Sequence, residues 1–179
     1  MSFTIARALT LPATNWTPFR RSMNAYIHQI NEDYHPTICG PNGTGLPIIT
    51  AERIIFNGNT RTHRWYARNP NAALSRAEQD DAHEDFDLFR LAPTPLTTGY
   101  RYDTTETNGK PYGATIRVTF LLLRHYFPHS TLIVAAPATP EEWRHAFNYA
   151  RCVEPDITLP KECRLTARLA DDRPARATA

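Results

Sequence analysis

One stretch of the chain combines the side chains that bind metal ions and move protons. From Glu78 to Asp87, six carboxylates lie close together around one histidine, His83. Carboxylate and imidazole groups can hold a divalent cation or act as a general base, so a metal-dependent hydrolase is one hypothesis for His83, Glu84 and Asp85. Metal ligands converge from separate elements, however, and a cluster that is local in sequence does not predict such convergence. We therefore predict neither a metal nor a cofactor, and interpret the stretch as a solvated acidic surface with these candidate interaction residues: Asp80, Asp81, Glu84 and Asp85.

A basic stretch with interleaved aromatic residues runs from Arg61 to Arg76. Such a mixture can neutralise phosphates and stack bases, as in proteins that bind single-stranded nucleic acids. The alternative is a solvated basic loop that lies over the core on its two aromatic side chains. Direct nucleic-acid binding is therefore a second hypothesis, and its candidate residues are Arg61, Arg64, Trp65, Tyr66 and Arg68.

Two further segments have a composition that could suit an anionic ligand. Lys110 precedes a predicted helix and would lie at the positive end of its dipole, although a lysine in such a place is more often merely exposed. The glycine-rich segment from Gly40 to Gly45 lacks the Lys-Ser/Thr ending of a phosphate-binding loop, so we reject that function. No nucleophile elbow, zinc motif or paired-carboxylate arrangement is recognisable, and we predict no catalytic residue. An enzyme whose site assembles only in three dimensions stays an alternative.

The strongest structural pattern begins at Lys110-Pro111-Tyr112 and predicts a helix that extends to Phe127. Apolar residues recur there at helical spacing over most of the circumference, which is typical of a central helix. Alternation of β-branched and apolar residues around Val118 leaves a strand as the alternative, and Pro128 ends the element in either case. We expect four side chains to face water: Thr115, Arg117, Thr119 and Arg124.

Two more elements follow that helix. The segment from Thr131 to Ala135 is short and continuously apolar, which predicts a strand covered on both faces. Thr139 and Glu142 form a capping box around Pro140, so a further helix begins there.

The N-terminal part of the chain predicts a first strand and then an amphipathic helix. That helix opens at Thr17-Pro18, with Thr17 or Asn15 as its N-cap. Its stripe is far more typical of core contact than of a partner-binding face. The apolar face consists of Trp16, Phe19, Met23, Tyr26, Ile27, Ile30 and Tyr34.

The middle of the chain predicts several strands. Ile48 to Phe56 is one candidate, and Asn57-Gly58-Asn59 after it predicts the turn of a hairpin. Another strand starts at Phe86, directly after the acidic stretch. Thr98 to Thr105 is a further strand, in which tyrosines occupy alternate positions.

Composition limits the kind of protein. At 179 residues the chain is long enough for one domain with a substantial core, and a net charge of +2 gives no general nucleic-acid or membrane surface. The N-terminus lacks a signal pattern, so we expect a cytoplasmic protein, and three cysteines without metal or redox spacing predict reduced thiols. We predict a single compact α+β domain over 1–160, with a small, mostly antiparallel sheet of about four to six strands packed by about three helices. A basic, mobile tail over 161–179 follows it.

A characteristic order of motifs runs through the second half of the chain. It comprises Asn57-Gly58, then His83-Glu84-Asp85-Phe86 before a strand, then Thr105 to Lys110-Pro111-Tyr112 before a leucine-rich helix, a strand and the Trp143 helix. This order, over roughly residues 57 to 150, resembles a family of short uncharacterised proteins from phage and plasmid genomes. That family places Asp after Lys-Pro-Tyr, where this chain has Gly113. The resemblance implies no catalytic residues but a setting, that of accessory proteins of mobile elements, some of which act against host defence systems by binding their protein complexes.

We therefore expect a non-catalytic interaction protein whose partner is a host protein or a protein–nucleic-acid complex. Patches of opposite charge could steer such a partner, and the acidic surface could compete for a basic groove that normally binds nucleic acid. Direct nucleic-acid binding and a metal-dependent hydrolase are the alternatives. The identity of the partner and the oligomeric state stay open.

Overall fold

The computed structural model of the protein describes residues 2–33, 38–60, 81–92, 99–161 and 163. In these residues, three α-helices and seven β-strands form an α+β fold with antiparallel sheets, which confirms the predicted fold class. The helices are α1 (Ala13–Asp33), α2 (Gly113–Tyr126) and α3 (Pro140–Val153). The strands are β1 (Ser2–Ala8), β2 (Ile38–Cys39), β3 (Ile48–Ile49), β4 (Arg53–Gly58), β5 (Phe86–Phe89), β6 (Tyr100–Glu106) and β7 (Thr131–Ala135).

The described strands are divided between two sheets. In the three-stranded sheet, β1 lies in the centre between β6 and β7. In the four-stranded sheet, β4 pairs with β3 and β5 along its length and with β2 at its end. Every one of these pairings is antiparallel, so short connections can join neighbouring strands.

The core joins the two sheets through α2. Phe120 of α2 contacts Phe3 of β1, with ring centroids 6.3 Å apart, and Phe86 of β5, at 6.4 Å. Phe86 in turn stacks on Phe56 of β4 at 4.7 Å. Because Gly113–Tyr126 is an α-helix, the helical prediction for this segment is confirmed and the strand alternative is excluded.

Three of the four polar residues that we expected to face water from α2 are instead buried. Thr115, Arg117 and Thr119 are 3%, 7% and 0% exposed, because α1 and α3 cover that side of the helix. The Tyr26 hydroxyl of α1 lies 3.3 Å from the Thr115 hydroxyl, and the Glu142 carboxylate of α3 pairs with Arg117 at 3.1 Å. Burial raises the pKa of Tyr26 to about 12 and lowers the pKa of Arg117.

α1 begins at Ala13 rather than at the predicted Thr17-Pro18. Neither predicted N-cap serves as one: the Thr17 hydroxyl donates to the carbonyl of Ala13 at 3.3 Å, and the Asn15 amide donates to the carbonyl of Tyr126 at 2.6 Å. Asn15 thus makes a tertiary hydrogen bond to the end of α2, which a local capping pattern does not reveal. The predicted apolar face is confirmed for five buried residues, Trp16, Phe19, Met23, Tyr26 and Ile27. Ile30 is half-buried, and Tyr34 lies outside the described residues.

Ile48 to Phe56 contains two strands rather than the single predicted one. β3 and β4 form a tight hairpin that turns at Thr50, whose hydroxyl accepts the N–H groups of Glu52 and Arg53 at 3.3 and 3.1 Å. Asn57 and Gly58, which we predicted as a hairpin turn, continue β4 and pair with β2. The turn prediction is wrong because both residues pair with β2, and the Asn57 side chain bonds to the distant residues His83 and Asp85.

The capping box at the start of α3 is confirmed. The N–H of Thr139 donates to the Glu142 carboxylate at 2.7 Å, and the N–H of Glu142 donates to the Thr139 hydroxyl at 3.2 Å. The hydrogen bond from the Thr139 backbone and the nearby Arg117 guanidinium lower the pKa of Glu142 below its ordinary value of 4.5.

Glu142→Gln is expected to make the stability less sensitive to acid. Since the folded-state pKa of Glu142 is lowered, its contribution is complete above the unfolded-state value of 4.5 and is lost as the pH falls through the folded-state value. The amide keeps an acceptor for the Thr139 N–H but loses the charge that pairs with Arg117. The pair is partly exposed, so we expect a loss of about 0.5–1 kcal/mol near neutral pH. Urea unfolding from about pH 7 to about pH 3 measures it, with Glu141→Gln in the same turn as the control; equal pH slopes for the two variants would contradict the prediction.

Three observations concern the remaining predictions. The three cysteines are thiols rather than disulfides; Cys39 and Cys163 are buried, and Cys152 is exposed. Cys163 lies in the hydrophobic core, although the predicted domain ends at residue 160. Residue 162 and residues 164–179 of the predicted tail lie outside the described part of the chain. No helix in the described ranges is long and apolar enough to span a bilayer.

Candidate functional site

The motifs that were recognised in the sequence converge around Asn57, at the end of β4. Its side chain is fully buried. The amide nitrogen donates to the carbonyl of His83 at 3.1 Å and to the carboxylate of Asp85 at 2.7 Å. The amide oxygen accepts the N–H groups of His83 at 3.0 Å and Gly58 at 2.7 Å. Asn57 therefore fastens the segment 81–85 to the end of β4.

Tyr112 joins the same cluster from the start of α2. Its hydroxyl donates to the carbonyl oxygens of Glu84 at 2.7 Å and Glu106 at 3.1 Å, and burial raises its pKa above the ordinary value of 10. A Cβ at Gly58 would lie 1.9 Å from the carbonyl oxygen of Asp81, so only glycine fits between the two segments. The motif residues thus serve the packing of β4, β6 and α2 around the segment 81–85.

The acidic candidates differ in exposure. Asp85 is half-buried, and one of its carboxylate oxygens accepts both the Asn57 amide and the N–H of Asn42, the latter at 2.8 Å. His83 and Glu84 are exposed, and the Glu84 carboxylate accepts the backbone N–H of Glu106 at 2.5 Å. Among the residues that the structure describes, no group of three or more histidine, cysteine, aspartate or glutamate side chains is arranged to hold a metal ion. Through these hydrogen bonds, the carboxylates of Glu84 and Asp85 hold neighbouring loops in place.

Part of the predicted binding surface falls outside the described residues. This applies to Asp80 and to the whole stretch from residue 61 to residue 80. Direct nucleic-acid binding through that stretch stays a prediction, and its candidate residues in the undescribed range are Arg61, Arg64, Trp65, Tyr66 and Arg68.

The glycine-rich segment forms a short 3₁₀ turn, Pro41–Gly43, that is braced from within the protein. The N–H of Gly43 donates to the carbonyl of Gly40 at 3.1 Å, and the N–H of Gly40 donates to the carbonyl of Gly45 at 3.3 Å. The N–H of Asn42 donates to Asp85. A phosphate-binding loop presents such N–H groups to its ligand, whereas these three are bonded to protein acceptors.

A polar cluster that the sequence did not reveal lies where three helices meet. The Ser22 hydroxyl of α1 lies 2.8 Å from the Tyr126 hydroxyl at the end of α2. Tyr126 donates to the carboxylate of Glu154, the residue after α3, and burial raises the pKa of Tyr126. The Nε2 atom of His125 lies 3.8 Å from the Glu154 carboxylate, so this imidazole faces the carboxylate and not the buried Ser22 hydroxyl. The cluster therefore ties the middle of α1 to the ends of α2 and α3 and presents no activated nucleophile.

A second unpredicted cluster lies on the inner face of the three-stranded sheet. Arg7 of β1 is fully buried and donates to the Asp103 carboxylate of β6 at 2.5 Å. Arg101 donates to the other oxygen of the same carboxylate. One carboxylate therefore neutralises two arginines, one of which is buried.

The outer face of the three-stranded sheet is open to solvent. Leu132 and Val134 of β7 are 51% and 50% exposed, so the prediction that this strand is covered on both faces is wrong. Only the face that holds Thr131 meets α2, where the Thr131 hydroxyl donates to the carbonyl of Phe127 at 2.8 Å. A continuous apolar run reports the composition of a strand and not what packs on it, which is the physical reason for the error.

The open face has the shape of a trough. Tyr100 and Tyr102 of β6 are 51% and 66% exposed. The register places Tyr102 and Leu132 on either side of Ala6 of β1, which is only 6% exposed because its larger neighbours stand over it. We call this surface the trough: its walls are Tyr100 and Tyr102 on one side and Leu132 and Val134 on the other, and its floor is Ser2, Thr4, Ala6 and Ala8.

The charge of the trough is distributed unevenly. Along β1, β6 and β7, the side chains that alternate onto the outer face include no lysine or arginine. The charged side chain on this face is that of Glu106, which is exposed and lies opposite Ser2 at one end of the trough. Glu84 lies beside it, as its contact with the Glu106 backbone shows. The trough is therefore apolar at its tyrosine end and acidic at the other.

Comparisons with known proteins add no function to this geometry. No protein-family model matches the chain, and no curated protein and no solved structure matches it. The resemblance to phage and plasmid proteins stays a prediction.

Proposed function

We propose that this protein is a non-catalytic interaction protein that binds a host protein, alone or within a protein–nucleic-acid complex, through the trough. The observation that carries the proposal is the exposure, by half or more, of all four wall residues on one sheet face. Contiguous exposed apolar surface is typical of interaction sites, and tyrosine is enriched in them. The resemblance to accessory proteins of mobile elements supports a host complex, such as one of a defence system, as the partner.

Catalysis is less well supported by the described residues. The carboxylates of Glu84 and Asp85 accept hydrogen bonds from backbone or amide groups that hold loops. The hydroxyls of Tyr112 and Tyr126 have a raised pKa and donate to fixed acceptors. Groups engaged in this way are unsuited to accept a proton from a substrate near neutral pH.

Site-specific cross-linking tests the proposal. The photoreactive residue p-benzoylphenylalanine replaces Tyr102 in the full chain, and the protein is irradiated in a bacterial lysate with and without nuclease. We expect a discrete protein adduct that nuclease leaves unchanged, because Tyr102 is 66% exposed on the trough. The matched control carries the same residue in place of Leu46, which is 85% exposed outside the trough.

The comparison of the two positions decides the outcome. An adduct at position 102 whose yield falls when Leu132→Ser is added would support the trough as the binding surface. The proposal is refuted by equal adducts from both positions, or by the absence of an adduct at position 102. An adduct to nucleic acid itself, which nuclease removes, would move the function to the basic stretch from Arg61 to Arg76.

A further inference from the structure

We infer that the trough accepts an amphipathic α-helix of the partner, which lies along β1 with its apolar stripe on the two walls and a basic residue over Glu106. This inference rests on the proposed function, since it names the form and charge of the partner that binds the same face. Three properties of the trough carry it, namely its width, its charge and its area.

The width of the trough matches a helix. Its walls on β6 and β7 are two strand spacings apart, about 10 Å, and an α-helix with its side chains is about 10 Å across. Ala6 between the walls is only 6% exposed, so a helix rests on the wall side chains of both strands and does not reach the floor. An extended peptide adds to a sheet by pairing with the backbone of an edge strand, which a sheet face does not offer. β1 has seven residues and spans about 24 Å, the length of about 16 helical residues.

The charge of the trough selects against nucleic acid and gives the helix a direction. Proteins that bind single strands combine stacking aromatics with a positively charged groove, and no lysine or arginine faces outward from the three strands. The carboxylates of Glu106 and Glu84 lie at the end opposite the tyrosines. A helix with a lysine or arginine at that end would complement them, and this pairing fixes which way the helix lies.

The area of the face argues against a second copy of this chain. Three strands of five to seven residues present a face of about 15 by 24 Å, roughly 350 Å² per partner. A stable specific interface buries about 800 Å² per partner, so two copies stacked face to face would fall well short. A helix laid across both walls contacts each of them, and it suits the weak and transient class of interface.

A selection experiment on the full-length protein tests the helix. One display library presents peptides of about 16 residues on an alanine and glutamine framework, randomised at helical i, i+3, i+4 and i+7 positions and at both ends. The matched library has a proline at the centre, which breaks the helix. We expect binders from the first library only, with apolar residues in the stripe and a lysine or arginine at one end.

Affinities of a synthetic winning peptide, measured by fluorescence polarisation, then locate its site. Tyr102→Ala and Leu132→Ser are each expected to weaken binding about tenfold or more, whereas Leu46→Ser should leave the affinity unchanged. Glu106→Gln should weaken only peptides with a basic end and reduce their salt dependence. Circular dichroism establishes that each variant is folded, which is expected because the substituted side chains are exposed.

Several results would overturn the inference. Equal enrichment from the proline library would assign an extended ligand, and affinities that ignore Tyr102→Ala and Leu132→Ser would place the peptide elsewhere. A dimer in sedimentation that Tyr102→Ala dissociates would assign the face to a second copy. A cross-linked protein partner at position 102 without any helical binder would reject the helix and leave the proposed function standing, whereas the absence of that cross-link would reject the proposed function itself.

Discussion

Asp103→Ala is expected to lower the free energy of unfolding by about 3–5 kcal/mol, because it removes the counter-charge of a buried arginine. The side chains of Arg7 and Asp103 are 0% and 11% exposed, and they meet at 2.5 Å. Without the carboxylate, the Arg7 Nε would lose its acceptor. Its Nη2 has none in the structure, and its Nη1 would keep only the carbonyl of Ala8 at 3.1 Å. A guanidinium so deprived of partners is costly to bury.

The chain contains a matched control for this prediction. Arg53 and Asp87 form the same kind of pair at the same distance of 2.5 Å, but their side chains are 39% and 32% exposed. Asp87→Ala should therefore cost about 1 kcal/mol or less. Urea unfolding measures both, and the double variant Arg7→Met/Asp103→Leu should recover much of the lost stability, since apolar side chains can replace a buried ion pair. Equal losses for Asp103→Ala and Asp87→Ala would show that burial is not the source of the effect.

The elements that could be predicted from sequence are those whose signals are local. The capping box at Thr139 and Glu142 lies within one turn, so it identifies the start of α3 without reference to the rest of the fold. The apolar periodicity of α2 is wide enough to predict a central helix. Strand β5 is likewise confirmed by the alternation of buried Phe86 and Leu88.

The predictions that failed depend on what packs against an element. Arg117 was expected in water because it is charged, yet α3 supplies Glu142 as its partner. Leu132 was expected in the core because it is apolar, yet no described element covers its face. The trough was missed for the same reason. Its sequence signal is the recurrence of small residues at alternate positions of β1, namely Ser2, Thr4, Ala6 and Ala8. This recurrence is informative only once β1 is known to be the central strand.

The motif order that suggested a relationship proves to have a structural basis in this chain. Asn57-Gly58 gives a strong turn signal by composition. Here, however, both residues belong to β4, and the asparagine side chain bonds to the backbone of His83, 26 positions away. Sequence spacing does not indicate that Asn57, Asp85 and Tyr112 meet. These residues converge only because the fold places β4 and β6 next to the segment 81–85.

Asn57→Ala is accordingly expected to lower the free energy of unfolding by about 3 kcal/mol, because the buried N–H of Gly58 and the part-buried N–H and carbonyl of His83 lose this hydrogen-bond partner. The substitution removes both bonds to the backbone of His83 and the bond to Asp85. The segment 81–85 should then detach from β4 before the rest of the protein unfolds, because α2 and the three-stranded sheet do not depend on this amide.

Two measurements separate this local effect from general destabilisation. Urea unfolding gives the total loss, and Asn24→Ala, on the exposed side of α1, should change it by no more than about 0.5 kcal/mol. Hydrogen exchange reports the His83 amide, whose protection should disappear in Asn57→Ala, whereas the amide of Phe120, in the middle of α2, should stay protected. If the His83 amide stayed as protected as in the unaltered protein, Asn57 would not be what holds the segment. The motif asparagine would then need a role other than structure, which would reopen the cluster around Asp85 and Tyr112 as a functional site.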